Sequence, residues 1–287
     1  MKLEDIKKIS VIGAGNMGHQ IAIQCALKGY DTVCMDINKD ILDKAEKFFK
    51  EYIPGRIKKG KITSEEGEAV QKRIKFTSDI NQAVAKADFV IEAVIEVLEV
   101  KRQIFKQIDE IAPEHAILAT NSSYIVSSKI ADITKRPEKV CNMHFFNPAL
   151  VMKLVEVVKG KHVSTNTANI TYELAVKLDK IPVMLNKEVE GFLLNRILRA
   201  IRSEAYWLYQ MGIASFEDID KACIYGAGHP MGPFRLNDLT GLDLSYIQAI
   251  EKFKRTGDKN DLPYPILVEK YFQGKFGKKV NEGWYRY

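Results

Sequence analysis

No part of the chain leaves fewer structural options than "KKISVIGAGNMGHQIAIQCALKGYDTVCMDI", residues 7–37. Ile9, Val11 and Ile12 form a short apolar strand, and Gly13, Gly15 and Gly18 place a G-x-G-x-x-G at its end. Ile21, Ile23, Ala26 and Leu27 suit a buried helix that Gly29 stops, and "TVCMD" is a second strand closing on Asp36. Glycines alone carry little information. Set between a strand and a helix, with an acid about 20 residues on, they specify a dinucleotide loop. Gly13 permits the tight turn, Gly15 lets a pyrophosphate approach the backbone, and Gly18 lets helix and strand pack closely. The helix N-terminus then faces the phosphates. Asn16 and Met17 lie inside the same loop and join the glycines as candidate cofactor contacts. Asp36 can accept both ribose hydroxyls and would repel a 2′-phosphate, so the expected cofactor is NAD rather than NADP.

The alternation continues. "DFVIEAV" (88–94), "AILATN" (116–121), "KVCNMHFF" (139–146), "MKLVEVV" (152–158) and "IPVML" (181–185) read as strands. Between them, residues 99–112, 126–134 and 167–179 read as helices. This predicts an α/β fold, a Rossmann-type, doubly wound, mostly parallel sheet over residues 1–185. Ligands then gather at the C-terminal strand ends.

Three segments at or beside those ends carry chemistry. "TNSSY" offers Asn121, Ser122 and Ser123. "HFFNP" ends another strand, and Pro148 helps turn the chain after Asn147. The next strand buries Glu156 in an apolar run. If the chain folds back near Leu150, residues whose numbers sum to 300 pair across the turn, and His144 lies opposite Glu156. A carboxylate beside an imidazole fixes its tautomer and favours the protonated ring. A lone histidine is more often structural than catalytic. At a strand end beside a nicotinamide site, with a carboxylate partner, the catalytic reading of His144 is preferred.

From residue 186 the pattern becomes helical. Leu194, Ile197, Leu198, Ile201, Ala205 and Leu208 recur at spacings of three and four. Gly212 ends that helix, and Ser215 with Asp218 reads as an N-cap. "LDLSYIQAIEKFKR" is a further helix. The expected organisation is therefore an NAD-binding domain over 1–185 and a smaller all-helical domain over 186–287. Asn195, polar inside an apolar helix start, reads equally well as a solvated residue or as one facing a cleft.

The totals exclude several classes. No apolar run reaches the roughly 18 residues of a membrane span, and the start, "MKLEDIKKIS", does not read as a secretory signal. Cys25, Cys34, Cys141 and Cys223 show no metal-ligand spacing and read as reduced core residues of a cytoplasmic protein, so no metal is expected. The net charge of +6 is spread over both halves of the chain. It suits an acidic ligand, and without a recognition motif it does not argue for nucleic acid. Neither a nucleic-acid nor a membrane partner is expected.

Taken together, "VIGAGNMG", "DFVIEAV", "TNSS", "HFFNPALVMKLVEVV", "EGFLLNRI", "GAGHPMGPFRLNDLTGLD" and "KFGKKVNEGWYRY" resemble the L-3-hydroxyacyl-CoA dehydrogenase family, most closely its short bacterial 3-hydroxybutyryl-CoA dehydrogenases. The resemblance covers nearly the whole chain. The "HFFNP…MKLVEV" and "GHPMGPF" blocks are specific to the family, whereas the glycine loop is not. It implies an NAD-dependent oxidoreductase acting on an acyl-CoA thioester, with His144 as catalytic base, Glu156 as its orienting partner, and Ser123 and Asn195 completing the substrate site. It further implies that Asp36, Glu96, Lys101, Asn147 and Lys279 line the NAD site, that Lys59 contacts coenzyme A, and that the helical domain makes a homodimer. The chain departs from the family pattern at Val97, often Asn, and at Tyr124, usually small or aliphatic, which bears on acyl-chain preference. Related sugar-acid (gulonate-type) dehydrogenases and non-enzymatic lens crystallins share these motifs and remain the alternatives. The basic stretch 50–75 reads as two helical segments joined near "KKGKITSEE". Lys58, Lys59 and Lys61 at the join are either a solvated face or a landing site for the phosphates of coenzyme A.

Overall fold

The computed structural model describes residues 1–287. Its eight strands are β1 (Lys8–Ile12), β2 (Asp31–Met35), β3 (Ile74–Thr77), β4 (Phe89–Glu92), β5 (Ile117–Thr120), β6 (Val140–Phe145), β7 (Leu154–Val158) and β8 (Ile181–Leu185). They form one sheet in the order β3-β2-β1-β4-β5-β6-β7-β8. Every neighbouring pair is parallel except β6 and β7. The strand order reverses at β1, between β2 and β4, which places a ligand crevice at the C-terminal ends of these strands.

Alternate residues along the strands feed two separate cores. Ile9, Val11, Phe89, Ile91, Met143, Phe145, Val155 and Val157 pack on one face with Ile21 and Ile23 of the helix Gly18–Leu27. Ile12, Val90, Leu118 and Val140 pack on the other with Phe105 and Ile108 of the helix Leu98–Ile111. A sheet covered on both faces buries both sets of side chains, so the strands read as near-continuous apolar runs.

The inversion at β6–β7 matters most for chemistry. An antiparallel pair can be joined by a short turn, whereas a parallel pair needs a long crossover. Here residues 146–153 make the turn, with the amides of Val151 and Met152 donating to Pro148 O at 3.0 and 2.9 Å. The Asn147–Pro148 peptide is cis. The resulting register pairs Asn142 with Val158, Met143 with Val157 and His144 with Glu156, the sums of 300 expected from the sequence.

Two elements were not expected. Residues 50–75 were read as purely helical, and the helices Lys39–Lys58 and Ser64–Arg73 do join where anticipated, but Ile74 and Lys75 open the edge strand β3, followed by the short helix Ile80–Val84. A four-residue edge strand with one buried residue is too short to show a periodicity of its own.

By contacts, the chain divides into Met1–Leu193 and Leu194–Tyr287. The second unit is helical, with principal helices Leu194–Gln210, Phe216–Lys221, Pro233–Thr240, Leu242–Thr256 and Pro265–Phe272. Ser215 caps its helix by accepting from the Asp218 amide at 3.1 Å. The core gathers Tyr206, Phe234 and Trp284, with the Phe234 and Trp284 rings 4.4 Å apart. The C-terminal tail is fastened by the buried carboxylate of Asp238, which accepts from the amides of Trp284 and Tyr285 at 2.8 and 2.9 Å. No helix is long and apolar enough to cross a membrane.

Candidate active site

β6 and β7 carry the central pair. His144 is 3% exposed and Glu156 fully buried. Glu156 Oε2 lies 2.9 Å from His144 Nδ1, and Glu156 Oε1 accepts from the Leu193 amide at 3.0 Å. A carboxylate can only accept, so Nδ1 carries the ring proton and Nε2 is left with a lone pair. Ser123 Oγ sits 3.0 Å from Nε2. The three side chains thus form a line Ser123–His144–Glu156 in which each polar atom has a partner. Aromatic rings wall it: Phe146 and Phe192 lie 4.5 and 5.4 Å from the imidazole, centre to centre. Gly191 and Phe192 both have positive φ, 75° and 46°. For a bulky residue this is a strained backbone, and it immediately precedes the amide that meets Glu156. Neither Phe192 nor the Leu193 amide was anticipated, because no side-chain pattern announces a backbone donor.

Ser123 is held by its loop. Asn121 Oδ1 accepts from the Phe145 amide at 2.8 Å, and Asn142 takes the far end through the Ser127 amide at 2.7 Å and Ile125 O at 3.0 Å. Between these ties, Glu96 Oε1 accepts from the amides of Tyr124 and Ile125 at 3.0 and 3.3 Å and, very closely, from Ser122 Oγ. Lys101 is buried at 1% exposure and bridges Glu92 Oε1 at 2.7 Å and Glu96 Oε2 at 3.3 Å. Glu92 is completed by Thr120 Oγ1 and the Val94 amide. Burial pushes the Glu96 carboxyl up, but Lys101 and the donors from Ser122, Tyr124 and Ile125 outweigh it and hold the group below its ordinary range. Glu92 and Thr120 escaped the sequence reading, which named Ser122 at this loop without giving it a role. Val97 starts the helix Leu98–Ile111 without a side-chain cap, which an Asn there could supply.

The glycine loop lies at the end of β1. Gly13 has φ 100°, and a Cβ there would lie 2.7 Å from Ala93 O; one on Gly18 would collide with Gly13 O. A Cβ on Gly15 would meet no protein atom within 4 Å, so the room beside it is open. Met17 offers no side-chain cap to the helix Gly18–Leu27, although the His19 amide donates to Gly15 O at 3.3 Å, and the N-terminal end of the helix suits an anion. Asp36 is oriented by amides, with Oδ2 on Ala14 N at 2.8 Å and Oδ1 on Asn38 N at 2.9 Å. Asn16 Nδ2 reaches Asn147 Oδ1 at 3.1 Å. An open glycine, an uncapped helix start and an acid at the end of β2 fit an adenine dinucleotide.

The remaining candidates belong to other elements. Lys58, Lys59 and Lys61 are exposed at the join of their two helices, whereas Arg56 is engaged by Tyr52, with Nη1 3.1 Å from its hydroxyl. Asn195 lies in the first turn of Leu194–Gln210, and Lys279 pairs with Asp243 at 2.5 Å, both within the helical unit.

The family model for the NAD binding domain of 3-hydroxyacyl-CoA dehydrogenase matches residues 8–189, and that for the C-terminal domain of the same enzyme matches residues 191–287. The chain is 39% identical to human mitochondrial hydroxyacyl-coenzyme A dehydrogenase over 98% of its own length and 91% of that protein's. It is 39% identical to a probable 3-hydroxybutyryl-CoA dehydrogenase of Bacillus subtilis, covering 99% and 98% of the two chains. Among solved structures, an (S)-3-hydroxybutyryl-CoA dehydrogenase from Ralstonia eutropha superposes with a TM-score of 0.90 at 35% identity, over 99% of each chain. The chain therefore belongs to the 3-hydroxyacyl-CoA dehydrogenase family and is an NAD-dependent oxidoreductase.

Proposed function

We propose that the chain interconverts (S)-3-hydroxyacyl-CoA and 3-ketoacyl-CoA, with short acyl chains such as 3-hydroxybutyryl and acetoacetyl preferred, and that it does so in the cytoplasm. The observation that carries this reading is the line Ser123–His144–Glu156, with its imidazole and carboxylate buried, set at the same strand ends as the glycine loop. NAD, when bound, supplies the hydride acceptor for C3 in the oxidative direction. His144 Nε2 takes the proton of the 3-hydroxyl, and in the reductive direction the protonated ring returns it to the ketone oxygen. Glu156 stabilises the imidazolium and fixes the ring. Ser123 hydrogen-bonds the reacting oxygen or the thioester carbonyl, where charge shifts in the transition state. The family resemblance alone assigns Asn195 to the substrate. Asp36, Glu96, Lys101, Asn147 and Lys279 are assigned to the cofactor. Because Lys101 is buried between two carboxylates, its contribution is to place Glu96.

Initial rates with NADH and acetoacetyl-CoA, a longer 3-ketoacyl-CoA or L-gulonate test the reading. Acetoacetyl-CoA is expected to be turned over fastest, and preference for the sugar acid would refute the assignment. The exposed Lys58, Lys59 and Lys61 are assigned to the phosphates of coenzyme A. Replacing all three by Ser should raise KM for acetoacetyl-CoA and leave unchanged that for an N-acetylcysteamine thioester, which lacks the phosphates. The wild-type KM should climb with salt as screening grows.

The helical unit is proposed to pair two copies. Leu208 and Tyr246 pack against the unit's own core, but Trp207, Met211, Leu239, Leu244 and Ile247 remain exposed, an apolar set that two-fold pairing would cover. Sedimentation at micromolar concentration should show a dimer; a monomer would refute it.

A further inference from the structure

Lys180 opens the way into β8 and is only 5% exposed. A buried ammonium needs compensation, yet no carboxylate pairs with it. The neighbouring Asp179 is engaged by Lys28 and Lys153 at 3.5 and 2.9 Å. What Lys180 Nζ does reach is two backbone carbonyls of the β6–β7 turn, Ala149 O at 2.5 Å and Met152 O at 3.0 Å. Burial, and then Lys153, bring its amine down to about 8, with Asp179 and Cys25 opposing and Lys28 adding to the fall. An apolar residue at this position would avoid that penalty but would leave both carbonyls without this donor.

The same turn is tied on its other side to the glycine loop. The Leu150 amide donates to Gln20 Oε1 at 3.3 Å, and Gln20 Nε2 donates to Asn16 O at 2.8 Å. Asn16 Nδ2 in turn reaches Asn147 Oδ1. The turn is thus gripped between the lysine that precedes β8 and a glutamine from the glycine helix, with Asn147 at its head.

We propose that Lys180 is a positioning residue for the cofactor, holding the β6–β7 turn so that Asn147 stands against Asn16 of the glycine loop. The proposal rests on the reading of Asn147 as a cofactor contact. It predicts an effect on dinucleotide affinity rather than on proton transfer, since the carbonyls it holds lie beyond the His144 strand.

The test is fluorescence titration of the full-length protein with NADH, alongside steady-state kinetics and melting. Lys180→Met should raise the NADH Kd roughly tenfold, the scale of one or two lost bonds from a charged donor, with kcat at saturating NADH within about twofold of wild type. Asn147→Ala should raise Kd similarly, and the double variant should be no worse than either single one, because both act through one turn. Gln24→Leu removes a bond of the same kind, to Leu178 O, that does not reach the turn; it should lower the melting temperature and leave Kd alone. If Lys180→Met does not fold, Lys180→Gln, which keeps a donor on a shorter arm, should give an intermediate Kd. Lys180 variants that melt earlier but bind NADH as wild type does, while Asn147→Ala binds weakly, would overturn the proposal alone. An unchanged Kd in Asn147→Ala would instead overturn the reading of Asn147. Additive losses in the double variant would show that Lys180 does not act through the turn.

Discussion

His144→Ala is expected to lower kcat by roughly 10²–10⁴, the scale of a lost general acid–base group, while NADH binding barely changes. The asymmetry follows from the layout. The imidazole bonds Ser123 and Glu156, and none of the groups assigned to the dinucleotide bonds to it. Glu156→Gln should also slow turnover and alter the pH–rate profile. The amide can still meet the Leu193 amide through its oxygen, but it no longer stabilises a charged ring. Stopped-flow kinetics together with NADH titration would check both halves of the expectation. A His144→Ala enzyme with near-wild-type kcat would remove His144 from the chemistry altogether.

Asp36→Ser should weaken NADH binding and narrow the gap to NADPH, because one change removes both the ribose acceptor and the charge that repels a 2′-phosphate. The structure adds a second reason for a large effect. Asp36 accepts from Ala14 N, inside the glycine loop, and from Asn38 N, so the carboxylate is already aimed before any ligand arrives. A serine has one hydroxyl where the aspartate has two oxygens, and it cannot make both bonds and meet a ribose diol. Dissociation constants for NADH and NADPH with wild type and variant would measure this. A wild-type preference for NADPH would contradict the assignment of Asp36.

How far the chain could be read in advance differs from element to element. The glycine loop, the strands from β4 to β8 and the helical character of the second half were legible because each depends on local pattern: a strand–turn–helix context, apolar runs, and a spacing of three and four. The edge strand β3 and the helix Ile80–Val84 were not, being four and five residues long and stabilised by what they pack on. The His144–Glu156 pair occupied middle ground. Its register could be worked out from a single turn, since in an antiparallel pair one fold-back point decides every partner.

Short-range periodicity, glycine spacing and one hairpin register could therefore be read from residue order. The supporting polar groups were decided only by the tertiary structure. Glu92 pairs with a lysine nine positions on and a threonine 28 positions on, Lys180 serves carbonyls about 30 residues back, and the Leu193 amide finds a carboxylate 37 residues away. A buried polar side chain has to be satisfied by something, but backbone donors and acceptors are present at nearly every residue. Sequence can announce that a partner is needed, and only the fold selects which one is near.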